Sequence, residues 1–249
     1  MELKGNYYST FWNVSSGQKS FWERLFLKKE MPKKKLSTPQ LIRENCSGIS
    51  FNQEKVKSIL FSTDIALIEN NDCDAILAVY PFPPSVNIMK TLIDFSQKPV
   101  ICGIGGGITQ GEIALEMAIE AEKLGAAAVI VNQPFKNKDI QKIRKAISIP
   151  IISSISSLTI DLQKRIDSGV NIFHITGGSN TVEIIQHIQK NFPQIPYICT
   201  GGKSVSDLNS VIENGANAVV LTPPSNGDLF KNIMKNYRKG IFRIKKRFF

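Results

Sequence analysis

The chain has 249 residues, enough for one large domain with a single sizeable core. Apolar residues make up 42% and charged residues 21%, with a mean hydropathy of −0.07, which argues against a disordered, fibrous or helical membrane-spanning protein. The four Cys, at 46, 73, 102 and 199, are far apart, with no CxxC and no His at ligand spacing. No disulfide framework or structural zinc site is therefore expected, and a reducing cytoplasm is the expected compartment.

The net charge of +10 is concentrated at the two ends. Residues 1–37 carry a net +5 and form a basic, aromatic N-terminal extension without the continuous apolar run of a signal peptide. It reads Tyr7-Tyr8, Phe11-Trp12, Phe21-Trp22, Leu25-Phe26-Leu27 and then Lys33-Lys34-Lys35. The body, 38–230, carries a net −3 and follows a strand–helix rhythm. Its short β-branched runs are expected as strands at Gly48–Phe51, Ala75–Tyr80, Val100–Ile104, Ala127–Asn132, Ile149–Ser153, Ile172–Ile175, Tyr197–Thr200 and Ala218–Leu221. The first of these is short and poorly apolar. Helical periodicity fills the intervals, over Lys57–Glu69, Ser85–Phe95, Gln110–Leu124, Asn137–Ile147, Thr159–Ser168, Asn180–Asn191 and Ser204–Asn214. Gly125, Gly169 and Gly215 stand as helix stops, and Ser204 as an N-cap. Eight such units predict an α/β fold, a (β/α)8 TIM barrel of parallel strands with basic terminal extensions, over an open doubly wound sheet. The tail 231–249 carries a net +8 and no acid, with Ile241-Phe242, Ile244 and Phe248-Phe249 among its cations. Basic residues interleaved with aromatics suit a membrane surface or a protein partner, but the favoured reading is that the aromatics cap the body beneath solvated lysines. Nucleic acid is the less favoured partner, and a homo-oligomer remains open.

In a barrel the chemistry sits at the C-terminal ends of the strands. Three of those ends are rich in glycine: Gly103–Gly107, Thr176-Gly177-Gly178-Ser179 and Thr200-Gly201-Gly202-Lys203. Successive backbone N–H groups near a helix N-terminus can cradle an anion. Gly177, Gly178, Ser179, Gly201, Gly202, Lys203, Thr222 and Ser225 are accordingly expected around a small anionic metabolite, with Gly105, Gly106, Asn132 and Ser153 completing the mouth. The plainer reading is that the glycines only make tight turns. His174, near the end of its strand, is the one obvious neutral-pH acid/base, provided that it faces the lumen; the other His, His187, is mid-helix. Cys102 is a candidate nucleophile or an inert small hydrophobe, and Cys199 is read the same way. Glu112 could reach inward as a base or complement its helix dipole. Asp64, in an apolar stretch, is a satisfied polar residue or a functional one. Ser154, Thr176 and Thr200 offer hydrogen bonds without proton transfer. No Asp or Glu falls at an expected strand end, so no metal is expected. Gly103–Gly107 lacks the third spaced glycine and the ribose-binding acid of a dinucleotide site, so no cofactor is expected.

The run from Thr200-Gly201-Gly202 through SVSDLNSVIENGANAVVLTPPS is similar to the closing units of phosphate-binding (β/α)8 barrels. These are of the keto-deoxy-phosphogluconate aldolase, thiamine-phosphate synthase and indole-glycerol-phosphate synthase types. The resemblance implies phosphate bound by the glycine turn after the seventh strand and by small residues after the eighth. Two departures stand out. Pro223-Pro224 occupies the last turn and supplies no N–H. No Lys lies on an expected strand, which disfavours the Schiff-base aldolase reading. The whole also resembles an uncharacterised bacterial barrel group labelled hydrolase. The leading expectation is an enzyme (lyase, isomerase or hydrolase) on a small phosphorylated or carboxylated metabolite. The alternative is a non-catalytic sensing or scaffold barrel whose basic termini contact membrane, RNA or a protein.

Overall fold

The computed structural model describes residues 13–14 and 36–238. Most of both basic extensions, and the readings made of them, lie outside the described residues. In chain order the elements are β1 (Asn13–Val14), β2 (Leu36–Ser37), α1 (Gln40–Asn45), β3 (Ile49–Phe51), β4 (Glu54–Val56) and β5 (Ser58–Phe61). They continue with α2 (Ile65–Glu69), β6 (Ala75–Ala78), α3 (Val86–Phe95), β7 (Val100–Gly105), α4 (Gly111–Lys123), β8 (Ala128–Val131) and α5 (Asn137–Ala146). The chain then forms β9 (Ile151–Ile155), α6 (Leu162–Asp167), β10 (Ile172–Ile175), a 3-10 turn (Gly178–Asn180), α7 (Thr181–Asn191), β11 (Tyr197–Thr200), α8 (Val205–Glu213), β12 (Ala218–Leu221) and α9 (Asn226–Arg238).

Strands β5 to β12 close into an eight-stranded parallel barrel with helices between them. The fold is therefore the expected TIM barrel. The seam is the pairing of β12 with β5, Val219 opposite Ser58, Val220 opposite Ile59 and Leu221 opposite Leu60. Side chains alternate across this wall and sort into two nested cores. Ile101, Ile130, Ile152, Ile172, Ile198 and Val220 pack inside the ring. Cys102, Val131, Ile151, Phe173, Cys199 and Val219 face outward against the helices. Helices α4, α6 and α8 stop where the sequence indicated: Gly125, Gly169 and Gly215 take φ of +92°, +107° and +81°, the left-handed geometry that favours glycine after a helix.

The first strand is where the sequence reading is corrected. Gly48–Phe51 does not join the barrel: Ile49–Phe51 pairs antiparallel with β4, through a tight turn in which Asn52 and Gln53 have φ of +47° and +70°. Phe51 and Val56 of this hairpin pack into the inner core, closing the barrel below β5. The true first strand, β5, lies inside the stretch expected to be helical, and only Ile65–Glu69 of that stretch is α-helix. The run Val56, Ile59, Leu60 imitates a helical face, and a buried four-residue strand offers too little alternation to contradict it. Asp64 marks the real helix start, its carboxylate accepting from Ala66 N at 2.9 Å and Leu67 N at 3.3 Å, and Asn226 donates to its other oxygen.

Candidate functional site at the barrel mouth

His174 projects into the lumen. Ile172, two residues earlier on β10, belongs to the inner core, while Phe173 and Ile175 belong to the outer one, so alternation turns the imidazole inward. It is only 6% exposed and lines the wall of a cavity of about 420 Å³ at the C-terminal ends of the strands. Ser154 Oγ, on β9, lies 3.4 Å from its Nδ1, and Thr200 Oγ1, on β11, lies 3.2 Å from its Nε2. In parallel strands a residue's neighbours on the same face come from the strands on either side, and Ser154 and Ile198 are the residues level with His174. Burial pushes the imidazole down to about 4, so it is neutral at pH 7, with one ring nitrogen donating and the other accepting. Ser156, Thr176 and Thr222 add polar groups around the same cavity, and Phe61, Leu77 and Val220 give it apolar walls.

The glycine turn after β11 is arranged differently from an open anion cradle. Gly201 N donates to Val220 O at 2.9 Å. The amides of Lys203 and Ser204 both donate to Asp207 Oδ2, at 2.9 and 3.0 Å, and Ser204 Oγ in turn accepts from Asp207 N at 3.1 Å. This capping box places the protein's own carboxylate on the amides expected for phosphate. Those bonds hold the Asp207 carboxyl below its usual range, the Lys203 amide contributing most. Gly202 is glycine because Asp207 leaves no room: a Cβ there would lie 2.2 Å from Asp207 Cβ. Gly177 packs against α7, where an added Cβ would meet Ile184 Cδ1 at 2.6 Å, and Gly178 opens the 3-10 turn with φ of +59°. Ser179 and Lys203 are exposed. Ser225 caps α9 by accepting from Asp228 N at 3.1 Å.

The remaining expected residues divide between the mouth and the wall. Asn132 and Thr222 line the cavity. Gly105, the last residue of β7, and Gly106, which opens the loop after it, lie beside the cavity, and Gly106 N donates to Thr109 O at 2.9 Å. Ser153 is corrected: it sits level with the outward-facing Val131 and Phe173, fully buried, and the next residue, Ser154, is the one that faces in. Cys102 is also corrected. It faces the helices, and burial pushes its thiol up to about 12, so it is no nucleophile at neutral pH. Cys199 has the same outward setting, its thiol likewise raised by burial. Glu112 points to solvent and pairs with Lys142 at 2.5 Å, and His187 lies exposed on α7.

Arg165 escaped the sequence reading. It is buried, and its guanidinium donates to Phe135 O at 2.6 Å and to Gln133 O. Gln133 in turn accepts from Ser156 N at 2.6 Å and Ser157 N at 3.0 Å, so the loops after β8 and β9 are tied into one wall of the mouth. The available signal was its position three residues after Leu162, on the inward face of a helix.

No family model matches the chain. It is 27% identical over 155 residues to a 4-hydroxy-tetrahydrodipicolinate synthase of Archaeoglobus fulgidus, covering 51% of this chain and 53% of that protein. The corresponding protein of Rhodopseudomonas palustris is 28% identical over 175 residues, covering 60% and 55%. The chain thus spans a little over half the length of these curated relatives. Among solved structures, a phosphonopyruvate hydrolase in complex with oxalate and Mg++ superposes with a TM-score of 0.57 at 13% identity, covering 77% of this chain and 86% of that one. A 2,3-dimethylmalate lyase, a member of the PEP mutase/isocitrate lyase superfamily, gives 0.54 at 15% identity, covering 84% and 89%. A dihydrodipicolinate synthase from Bacillus anthracis gives 0.53 at 14% identity, covering 78% of each. These likenesses are of fold. No group of three or more His, Cys, Asp or Glu suited to a metal ion occurs among the described residues.

Proposed function

We propose that the barrel mouth is the active site of an enzyme acting on a small carboxylated metabolite. The proposed reaction is of the lyase type, making or breaking a bond next to a carbonyl group. The observation that carries this reading is His174, neutral and lumen-facing, with a hydroxyl at each ring nitrogen and an open cavity beside it. A neutral imidazole is a poor acid in bulk terms and its one N–H already meets Ser154 or Thr200, so it acts through the hydroxyl that accepts from it, whose own O–H can polarise a carbonyl oxygen as charge develops there. Ser154 and Thr200 set the orientation of the ring, and Thr176 and Asn132 can hydrogen-bond a carboxylate. Among the described residues no Lys lines the cavity, so carbonyl activation by an amine is unavailable to them and the hydrogen-bonding route remains. The curated relatives, which are synthases, and the lyase among the fold neighbours support the same reaction class.

The test is a screen of 2-oxo and 2-hydroxy acids, read by thermal shift and by release of pyruvate. Pyruvate is expected to raise the Tm. His174→Asn is expected to lower turnover at least about 100-fold while leaving that rise in place. A wild-type protein whose Tm responds to no 2-oxo acid would overturn the proposal. A second reading, a sensing barrel without catalysis, is favoured by the lack of any acid or Lys among the cavity-lining residues described. Pyruvate binding without turnover of any member of the panel would select it.

A further inference from the structure

The inner face of the barrel is interrupted at one place. On β7, Ile101 packs into the inner core and Cys102 and Ile104 into the outer one, so the inward position beyond Ile101 belongs to Gly103. Gly103 sits opposite Ile130 of β8, and a Cβ built on it would lie 3.1 Å from Val79 Cγ2. With no side chain there, bare backbone lines a cavity of about 220 Å³. This cavity shares Val79, Ile130 and Asn132 with the mouth cavity that holds His174, so the two adjoin across these side chains. Its outer walls are apolar: Pro81, Phe82 and Ile108 stand on the two loops above it, Phe82 73% exposed and Ile108 99% exposed. The loop after β7 keeps the Gly106 amide for its own turn, donating to Thr109 O. Tyr80 Oη accepts from Ser85 N at 2.8 Å, which fixes the proline-rich loop carrying Phe82.

Two large side chains left in water above a pocket floored by bare backbone are matched to a flat apolar group, which would cover them and lie against the strand. We infer that the Gly103 pocket is a side-chain subsite of the mouth. The ligand it fits is a 2-oxo acid bearing an aromatic or branched aliphatic substituent, its acid end beside His174 and its substituent over Gly103. Gly103, Phe82 and Ile108 are then specificity-determining residues. The inference rests on the proposed function for its acid end, while the subsite itself stands on the geometry of β7.

The test compares pyruvate, phenylpyruvate and benzyl alcohol by calorimetry and thermal shift on wild type, Gly103→Val and Phe82→Ala, each checked for unchanged circular dichroism. Wild type is expected to bind phenylpyruvate at least about tenfold tighter than pyruvate, in line with burial of the ring. Gly103→Val should bring the two acids to within about twofold, because its side chain crowds Val79 on the pocket wall and narrows the pocket, and Phe82→Ala, at an exposed loop tip that carries little folding energy, should fall between. Equal affinities in the wild type, or undiminished phenylpyruvate binding in both variants, would overturn the subsite and leave the reading of the mouth intact. Failure of both acids to bind would overturn that reading instead. Benzyl alcohol, which has the ring and no acid, then reports on the subsite alone: protection of wild type but not of Gly103→Val supports it, and no protection of either overturns it.

Discussion

His174 carries a measurable signature independent of any substrate. Its imidazole is held neutral by burial, with its value lowered from 6.5 to about 4. A group whose folded value is depressed in this way favours the unfolded state as soon as that state begins to take up protons. The associated stability is therefore complete above pH 6.5, is lost as pH falls through the interval to about 4, and changes no further below it. The loss across that interval should be about 3 kcal/mol. In urea titrations between pH 7 and pH 4, His174→Asn is expected to flatten this part of the acid limb, and the His174 ring resonances should stay in their neutral positions down to pH 5. A ring titrating near 6.5 would place it in water. The residue type and its place near a strand end were legible in the sequence. Its direction was not, because alternation needs a fixed register and the strand had only four residues to set one. Ser153 illustrates the same limit, since the mouth takes the adjacent Ser154.

At the scale of elements, one glycine-rich turn has a structural explanation that its sequence concealed. Gly201-Gly202-Lys203-Ser204 has the composition of an anion cradle, but the acid three residues past the N-cap returns to fill it. The Ser204–Asp207 spacing was the signal available for this; sequence reading took Ser204 as a cap without following it to its partner. Asp207→Ala is expected to cost about 1 to 2 kcal/mol through the lost cap, measured by urea denaturation. It should also bare the amides of Lys203 and Ser204, so that inorganic phosphate raises the Tm of the variant more than that of the wild type. Equal phosphate responses would show that the vacated turn is not an anion site. Helices α3, α4, α5, α7 and α8 were legible to within one residue at each end, because stop glycines and long periodic faces mark them. The hairpin and β5 were not, because the hairpin's burial is supplied by the barrel floor, a long-range partner that local pattern cannot reveal.

For the molecule as a whole, closure brings the two ends of the barrel sequence together and sets the ends of the described residues apart from the mouth. Leu36 N donates to Asn70 O at 2.7 Å beside the turn into β6, and α9 runs back from the mouth after β12, so both described ends lie away from the cavity that holds His174. The seam itself depends on a residue outside it. Asp74, at the entry to β6, accepts from Lys57 N, Ser58 N and Ser58 Oγ, each at 2.9 Å, and its own N–H donates to Ser58 O at 2.9 Å. It thereby fixes the start of β5 level with Val219 on the closing strand. Asp74→Ala removes three acceptor contacts and leaves two backbone N–H groups to find new partners, a loss of about 2 to 3 kcal/mol. Asp74→Asn, which keeps one carbonyl oxygen, should lose about half as much. Because the eight strands share one inner core, the loss should appear as a lower urea midpoint at an unchanged slope, with one transition by both fluorescence and circular dichroism. A second transition in Asp74→Ala would mean that the β5 seam opens on its own and that the barrel is not a single cooperative unit.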